Sequence, residues 1–330
     1  MRKHALSKCD FRPYLVRASA KMRKVSPRQK SEMAINTATI NNIRVRPKAN
    51  NLRLFWRRFA RNKLAVVALC FIIFQIIVAV AAPYIAPYNP YKGDFLATWE
   101  TPNRLHWLGA DDLGRDVFTR LLYGARISIS VGILSQLAIA LVGVPIGALA
   151  GLKGGWLDYV VMRFIDVLSS LPTILFYILL MIALGAGFWN LILAMTLTGW
   201  IGVARLVRGQ VLSLKKTDYV RASRAMGAGT FYIIKKHILR NVMSPIIVSI
   251  ALGIPGAMFA EAGLSFLGLG IPAPQASWGQ MIGMYQAFIR TAWHLTVFPA
   301  IVLALTMLAW FLFADGIRDA LDTSNRKLSE

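Results

Sequence analysis

The chain has little of what side-chain catalysis uses. Its 330 residues include two cysteines, Cys9 in a basic stretch and Cys70 in an apolar run, so no disulfide framework is available. Cys9 has no apolar segment before it, which excludes a lipid-modified cysteine at a signal-peptide junction. The four histidines, His4, His106, His237 and His294, are too scattered for a zinc site, and no HExxH occurs. There is no GxxxxGK[ST] either, so the chain does not cradle ATP phosphates in a P-loop. GLSFLG at 263–268 departs from the nucleophile-elbow pattern because its second Gly comes one place late, and Ser265 reads as structural. No catalytic, metal or cofactor-binding residue is expected, and an enzyme is improbable on these grounds.

Acid is scarce as well: 15 Asp+Glu stand against 38 Lys+Arg, a formal net charge of +23. Such an excess can mean nucleic acid, but its placement argues otherwise. Eighteen of the basic residues fall in the first 63 positions and eight more fall between Arg208 and Arg240, beside apolar runs. That is the positive-inside signal of a membrane protein, with a secondary attraction to anionic lipid and no nucleic-acid partner.

What is abundant is hydrocarbon. Hydrophobic residues make up 56% of the chain and mean hydropathy is +0.52, more than a soluble domain tolerates, so the class is all-α integral membrane. Residues 1–50 are basic and aperiodic and read as a flexible cytoplasmic tail. LRLFWRRFARNK at 52–63 reads as an interfacial helix, with Trp56 and Phe59 in the headgroup boundary. Span 1 covers 64–82, 19 residues without a charge, and ends at Pro83; at about 1.5 Å per residue it nearly crosses a core of about 30 Å. Beginning only at Leu64, it reads as a retained anchor. Residues 83–124 are polar and hold Asp94, Glu100, Asp111, Asp112 and Asp116, an outside loop.

Span 2 is placed at 127–152, span 3 at 160–184 with a kink at Pro172, span 4 at 188–204, span 5 at 242–260 and span 6 at 294–313. Both termini and the basic segment 209–241 then lie inside. The domain reading is a tail over 1–50, interfacial helix, first span and outer loop over 51–123, and a five-span core over 124–330. Within span 2, Gly143, Gly147 and Gly151 make a ladder of small residues that lets another helix approach closely.

Two carboxylates lie beside or within the spans. Glu261 is read with equal weight as an intramembrane functional charge or as an interfacial residue ending span 5. Asp166 is read as the i,i+3 partner of Arg163.

The stretch 219–241, YVRASRAMGAGTFYIIKKHILRN, is the long basic insert between two apolar runs. Its simplest parse is helix, glycine turn at Gly227, helix. Ala222, Ser223 and Ala225 offer a low surface for a soluble partner, although an ordinary cytoplasmic loop is nearly as good an account.

That stretch resembles the coupling loop of ABC importer membrane subunits, with Arg221, Ala222, Ser223 and Gly227 at the positions of Glu, Ala, Ala and Gly. Arg221 replaces the usual Glu, and Arg240 replaces a Pro. FWRRFARNKLAVV at 55–67, HWLGADDLGRDVFTRLLYGARISI at 106–129, EAGLSFLGLGIPAPQASWG at 261–279 and DGIRDALD at 315–322 are similar to the C-type permease of dipeptide, oligopeptide and nickel importers.

The resemblance implies a type I permease of six transmembrane helices in a bacterial inner membrane, with a coupling helix between spans 4 and 5. It also implies a homologous B-type permease, two cytoplasmic ATPases holding ATP and Mg, and an extracytoplasmic solute-binding protein. Tyr219, Arg221, Ala222, Ser223, Ala225 and Gly227 would then meet an ATPase. The cargo implied is short peptides, with nickel complexes, glutathione or another peptide-like solute as alternatives. An ion-coupled secondary transporter is a weaker reading, since no series of mid-membrane charges occurs, and a structural anchor for a soluble complex is a further one.

Overall fold

The computed structural model describes residues 51–322. The expected tail over 1–50, with Cys9 and His4, lies outside the described residues, as does 323–330. The chain divides into two units, Met1–Leu54 and Phe55–Glu330, and the helical bundle belongs to the second.

Helix α1 is Asn51–Phe59 and α2 is Lys63–Ile85, whose start is capped by Asn62 accepting from the Ala65 amide at 3.2 Å. Pro83 does not end α2 but lies inside its last turns. Phe59 turns toward the protein rather than outward: it is 2% exposed and packs edge-on against Phe313 at 5.9 Å between ring centroids. Trp56 remains exposed.

Helix α3, Val117–Lys153, is 37 residues long and begins ten residues before the expected span. Asp116 caps it, its Oδ2 accepting from the Thr119 amide at 2.7 Å. Helices α4, Gly155–Ser169, and α5, Thr173–Leu184, replace the single kinked span 3: they meet at 85°. Pro172 has no N–H for the turn before it and disfavours helix at Leu171, and its carbonyl instead starts α5 by accepting from Leu175 at 3.0 Å. Neither half alone is long enough to cross a hydrocarbon core of about 30 Å.

Helix α6, Phe188–Leu214, carries Arg205 and Arg208 within it and so outruns the expected span 4. Helix α7 is Asp218–Ala225. Helix α8, Thr230–Phe266, runs from the glycine turn through a π-helical turn at Ile234–Ile238. Helices α9, Trp278–Tyr285, and α10, His294–Leu321, complete the order, with no named strand among the described residues. Five helices (α2, α3, α6, α8 and α10) are long and apolar enough to cross a membrane, and α4–α5 counted as one span makes six.

Helix α3 is the axis of the bundle. Its glycine ladder faces α6: a Cβ at Gly143 would stand 2.8 Å from the Trp200 carbonyl, one at Gly151 would stand 2.9 Å from Val211 Cβ, and one at Gly147 would overlap the Ala204 carbonyl. Backbone approach of this kind supplies dispersion contact where lipid offers no hydrophobic gain. Large apolar side chains such as Phe74, Ile77, Leu141, Leu179 and Phe259 remain exposed, as a lipid-facing or partner-facing surface requires.

Candidate functional site

The chain directions give the bundle two unlike ends. One holds the start of α3, the α5–α6 connection, the end of α8, and α9; the other holds the end of α3, the α6–α7 connection and the start of α8.

At the second end, α7 is followed by Met226 and then Gly227 at φ +85°. The Ala228 amide donates to the Ser223 carbonyl at 3.1 Å and the Gly227 amide to the Arg224 carbonyl at 2.9 Å. These are the two bonds of a Schellman stop, and its positive φ is the reason for glycine at 227. The chain reverses there and enters α8, giving helix, turn and helix.

Side chains fix this hairpin to the bundle. Val220 is fully buried with Ile233, Ile238, Leu152 and Val211. Lys215 Nζ donates to the Gly151 carbonyl at 3.1 Å, and Arg224 Nη2 to the Leu152 carbonyl at 3.3 Å. Both acceptors are orphan carbonyls of the last turn of α3, where a cation also meets the negative end of the helix dipole. Arg208 holds Asp158 of α4 through two bonds of 2.5 and 2.7 Å.

Of the residues expected to form a low docking face, Arg221, Ala222 and Ala225 are exposed, with Met226 and Phe231 beside them. Ser223 is not on that face: it is 5% exposed, its Oγ 3.3 Å from His237 Nε2. Tyr219 is half exposed, and its hydroxyl accepts from Asn241 at 3.2 Å, tying α7 to α8. Arg240 is exposed on the same basic end.

Glu261 faces the protein interior. It is fully buried within α8, and its Oε1 accepts from Ser265 at 2.8 Å and Ser277 at 2.6 Å, with Ser128 Oγ 3.5 Å from Oε2. Ser128 in turn accepts from the Trp278 amide at 3.1 Å, and the Trp278 indole donates to the Leu121 carbonyl at 3.0 Å. The carboxylate therefore pins the start of α9 onto α3 and α8, and Ser265 has the structural part expected of it. Asp166 does not pair with Arg163; it accepts from Arg205 of α6 at 2.8 Å. A helix three positions along is close in sequence, but the neighbouring helix presents its guanidinium nearer.

Sequence reasoning missed the most densely wired part of the first end. Asp111 is fully buried; Oδ1 accepts from the Leu113 and Arg115 amides at 3.0 and 2.9 Å, and Oδ2 from Arg115 Nε at 2.7 Å. Arg120, also fully buried, brings Nε to 3.5 Å from the same oxygen. Tyr285 donates to Asp112 at 2.7 Å. His106 Nδ1 lies 2.9 Å from Asp116. Burial pulls the Arg115 guanidinium down, but Asp111 outweighs it and holds the group above its ordinary value. Burial, reinforced by Asp111, raises the Tyr285 phenol. The signal was present in the alternating charges of GADDLGRD, which a solvated loop has no need to space so closely.

Comparison with known proteins agrees with this architecture. Residues 143–327 match the binding-protein-dependent transport system inner membrane component family, and residues 50–102 match the N-terminal TM domain of oligopeptide transport permease C. The Dipeptide transport system permease protein DppC of Bacillus subtilis (strain 168) is 46% identical over 86% of this chain and 88% of its own. The Oligopeptide transport system permease protein OppC of the same organism is 45% identical over 82% of this chain and 88% of its own. The Glutathione transport system permease protein GsiD of Pectobacterium atrosepticum is 40% identical over 86% and 95%. A chain of the MetNI methionine ABC transporter in an inward-facing conformation shares the fold, with a TM-score of 0.51 and 19% identity over 62% of this chain and 97% of that one. The chain belongs to the binding-protein-dependent transport system inner membrane component family, and is a multi-pass permease subunit of the ABC importer kind.

Proposed function

We propose that this chain forms half of the translocation pathway of an ATP-driven importer of short peptides in a bacterial inner membrane. A homologous permease supplies the other half, two cytoplasmic ATPases holding ATP and Mg bind below, and an extracytoplasmic binding protein delivers cargo above. Both termini are then cytoplasmic. The relatives named for dipeptide, oligopeptide and glutathione transport support the cargo class, since glutathione is itself a tripeptide.

The observation that carries the coupling part is the wiring of α7. Its exposed face (Arg221, Ala222, Ala225) is free to meet a partner, while Val220 and Arg224 on its inner side, with Lys215 just before it, tie it to the last turn of α3. A push on α7 therefore reaches α3 directly, α6 through the glycine ladder at Gly143, Gly147 and Gly151, and α8 through the Gly227 turn. Small displacements pass through close-packed contacts as rigid-body motion and are not absorbed. Glu261 and its serines hold α9 at the far end of the same helices, so the displacement rocks a unit.

The test is to purify the chain in mild detergent with whatever accompanies it and reconstitute the complex in liposomes. A second permease and ATPases are expected to co-purify and to drive peptide uptake. Recovery of the chain alone, with proton- or sodium-dependent uptake, would overturn the proposal. Gly227→Pro demands φ near −65° where the chain has +85° and deletes the amide that bonds Arg224. It is expected to leave ATP hydrolysis running while uptake falls by at least tenfold.

A further inference from the structure

A cavity of about 550 Å³ opens at the first end of the bundle, between the start of α3, the α5–α6 connection and the segment after α8. Its volume is within the range of small-molecule sites. Among the described residues, Arg126 is the one charged side chain on its wall, and no carboxylate lines it. The other walls are mainly aromatic, Tyr91, Tyr123, Phe188 and Trp189, with Gln275 among the polar groups.

Several arginines of the bundle are already paired. Arg115 and Arg120 are committed to Asp111, Arg205 to Asp166 and Arg208 to Asp158. Arg126 makes no ion pair among the described residues; its guanidinium lies 5.9 Å from the centre of the Tyr123 ring. A cation held over a ring face at that distance leaves its N–H donors for another partner. The result is an exposed guanidinium with uncommitted donors at a cavity that no carboxylate lines among the described residues.

We infer that this cavity is a substrate site, and that Arg126 receives the terminal carboxylate of a peptide while the aromatic walls take its side chains. Bidentate bonding of a carboxylate is what a guanidinium does best. With no carboxylate on the wall, the ammonium end of a peptide has no ion-pair partner here, so selection acts on the carboxyl end. The inference rests on the peptide-import reading and names the residue that discriminates cargo within it.

The experiment compares a free-acid tripeptide with the same tripeptide amidated at its C-terminus. Uptake is measured in liposomes holding the whole importer with saturating binding protein, so that delivery is not limiting. The wild-type complex is expected to favour the free acid by about tenfold, the scale of one charge-assisted hydrogen-bond pair. Arg126→Gln is expected to bring free-acid uptake down to the amidated level, and Arg126→Lys to fall between, since it keeps the charge and loses the fork. The yield of assembled complex reports folding separately.

Equal discrimination in wild type and Arg126→Gln would overturn the site while leaving peptide import standing. The same result with loss of co-purified anionic phospholipid in Arg126→Gln would also overturn it, and assign the cation to a headgroup phosphate. Import of neither peptide by the wild type would remove the peptide-import reading and the site together.

Discussion

The two ends of the bundle solve opposite problems with similar residues. At the first end a charged cluster is internal: Asp111 and Arg120 are fully buried and Tyr285 is 2% exposed, all facing one another. At the second end Arg221, Lys235, Lys236 and Arg240 face outward around the α7–α8 turn, with Met226 82% and Phe231 76% exposed beside them. A buried ion-pair network adds little net stability over an apolar core, but it penalises every other arrangement, because each member left unpaired is a desolvated charge. An exposed basic surface is worth little to its own fold and is available to another protein. One end is built to hold a single shape; the other, on the coupling role proposed above, is the one that is moved.

The comparison breaks first at Asp111. Asp111→Ala strands Arg115 and Arg120 together without their shared carboxylate, and is expected to destabilise the bundle by about 3–5 kcal/mol. Thermal unfolding of the purified complex measures it. Arg221→Ala at the other end serves as the control and should stay within about 0.5 kcal/mol of wild type. An equal loss from both would mean that the two ends do not differ as described.

Tyr285→Phe sharpens the same contrast at smaller scale. It removes the hydroxyl that donates to Asp112 at 2.7 Å, at a cost of about 1–3 kcal/mol. The pH dependence has a definite sign. Burial raises the folded phenol above its ordinary value of 10.0, so its contribution is fully present below that pH. Above it the unfolded chain releases the proton first, and the stability is lost as pH rises towards the folded value. Denaturant titrations at pH 8 and pH 10.5 should therefore show wild type falling relative to Tyr285→Phe. A constant difference would refute the assignment.

The sequence was most legible where information is local. Uncharged runs declare α2 and α10, and Gly227 declares the turn between α7 and α8, because hydropathy and φ preference act within a few residues. It was least legible where partners lie far apart in the chain. Glu261 finds Ser128 and Ser277, and Asp166 finds Arg205, only after helices have packed. The first turns of α3 read as loop because Arg120 and Arg126 count as polar in any window, although Arg120 is buried against Asp111 inside the fold. Span 3 read as one kinked helix since Pro172 announces a break but not its angle; the 85° bend is set by what α4 and α5 pack against.

The smallest effect expected comes from Gly227→Ala, because the cost of a glycine-to-alanine change depends on which end of the bundle it is made at. Gly114 and Gly227 both hold positive φ, +69° and +85°, so an alanine at either carries the left-handed penalty of about 1 kcal/mol. At Gly114 the added Cβ would also overlap the Asp94 carbonyl, whereas at Gly227 nothing lies within 4 Å. Gly227→Ala should therefore cost about 1 kcal/mol and no more, and Gly227→Asn less, since asparagine tolerates that region best among the remaining residues. Hydrogen exchange at the Gly227 and Ala228 amides, the two donors of the Schellman stop, would locate the loss there. Gly114→Ala should exceed it clearly, because the turn it sits in is fixed by the buried Asp111, Arg115 and Asp116 and cannot shift to admit a methyl group. Equal costs at the two glycines would mean that the first end yields as readily as the second, and the division between a fixed end and a movable one would fail.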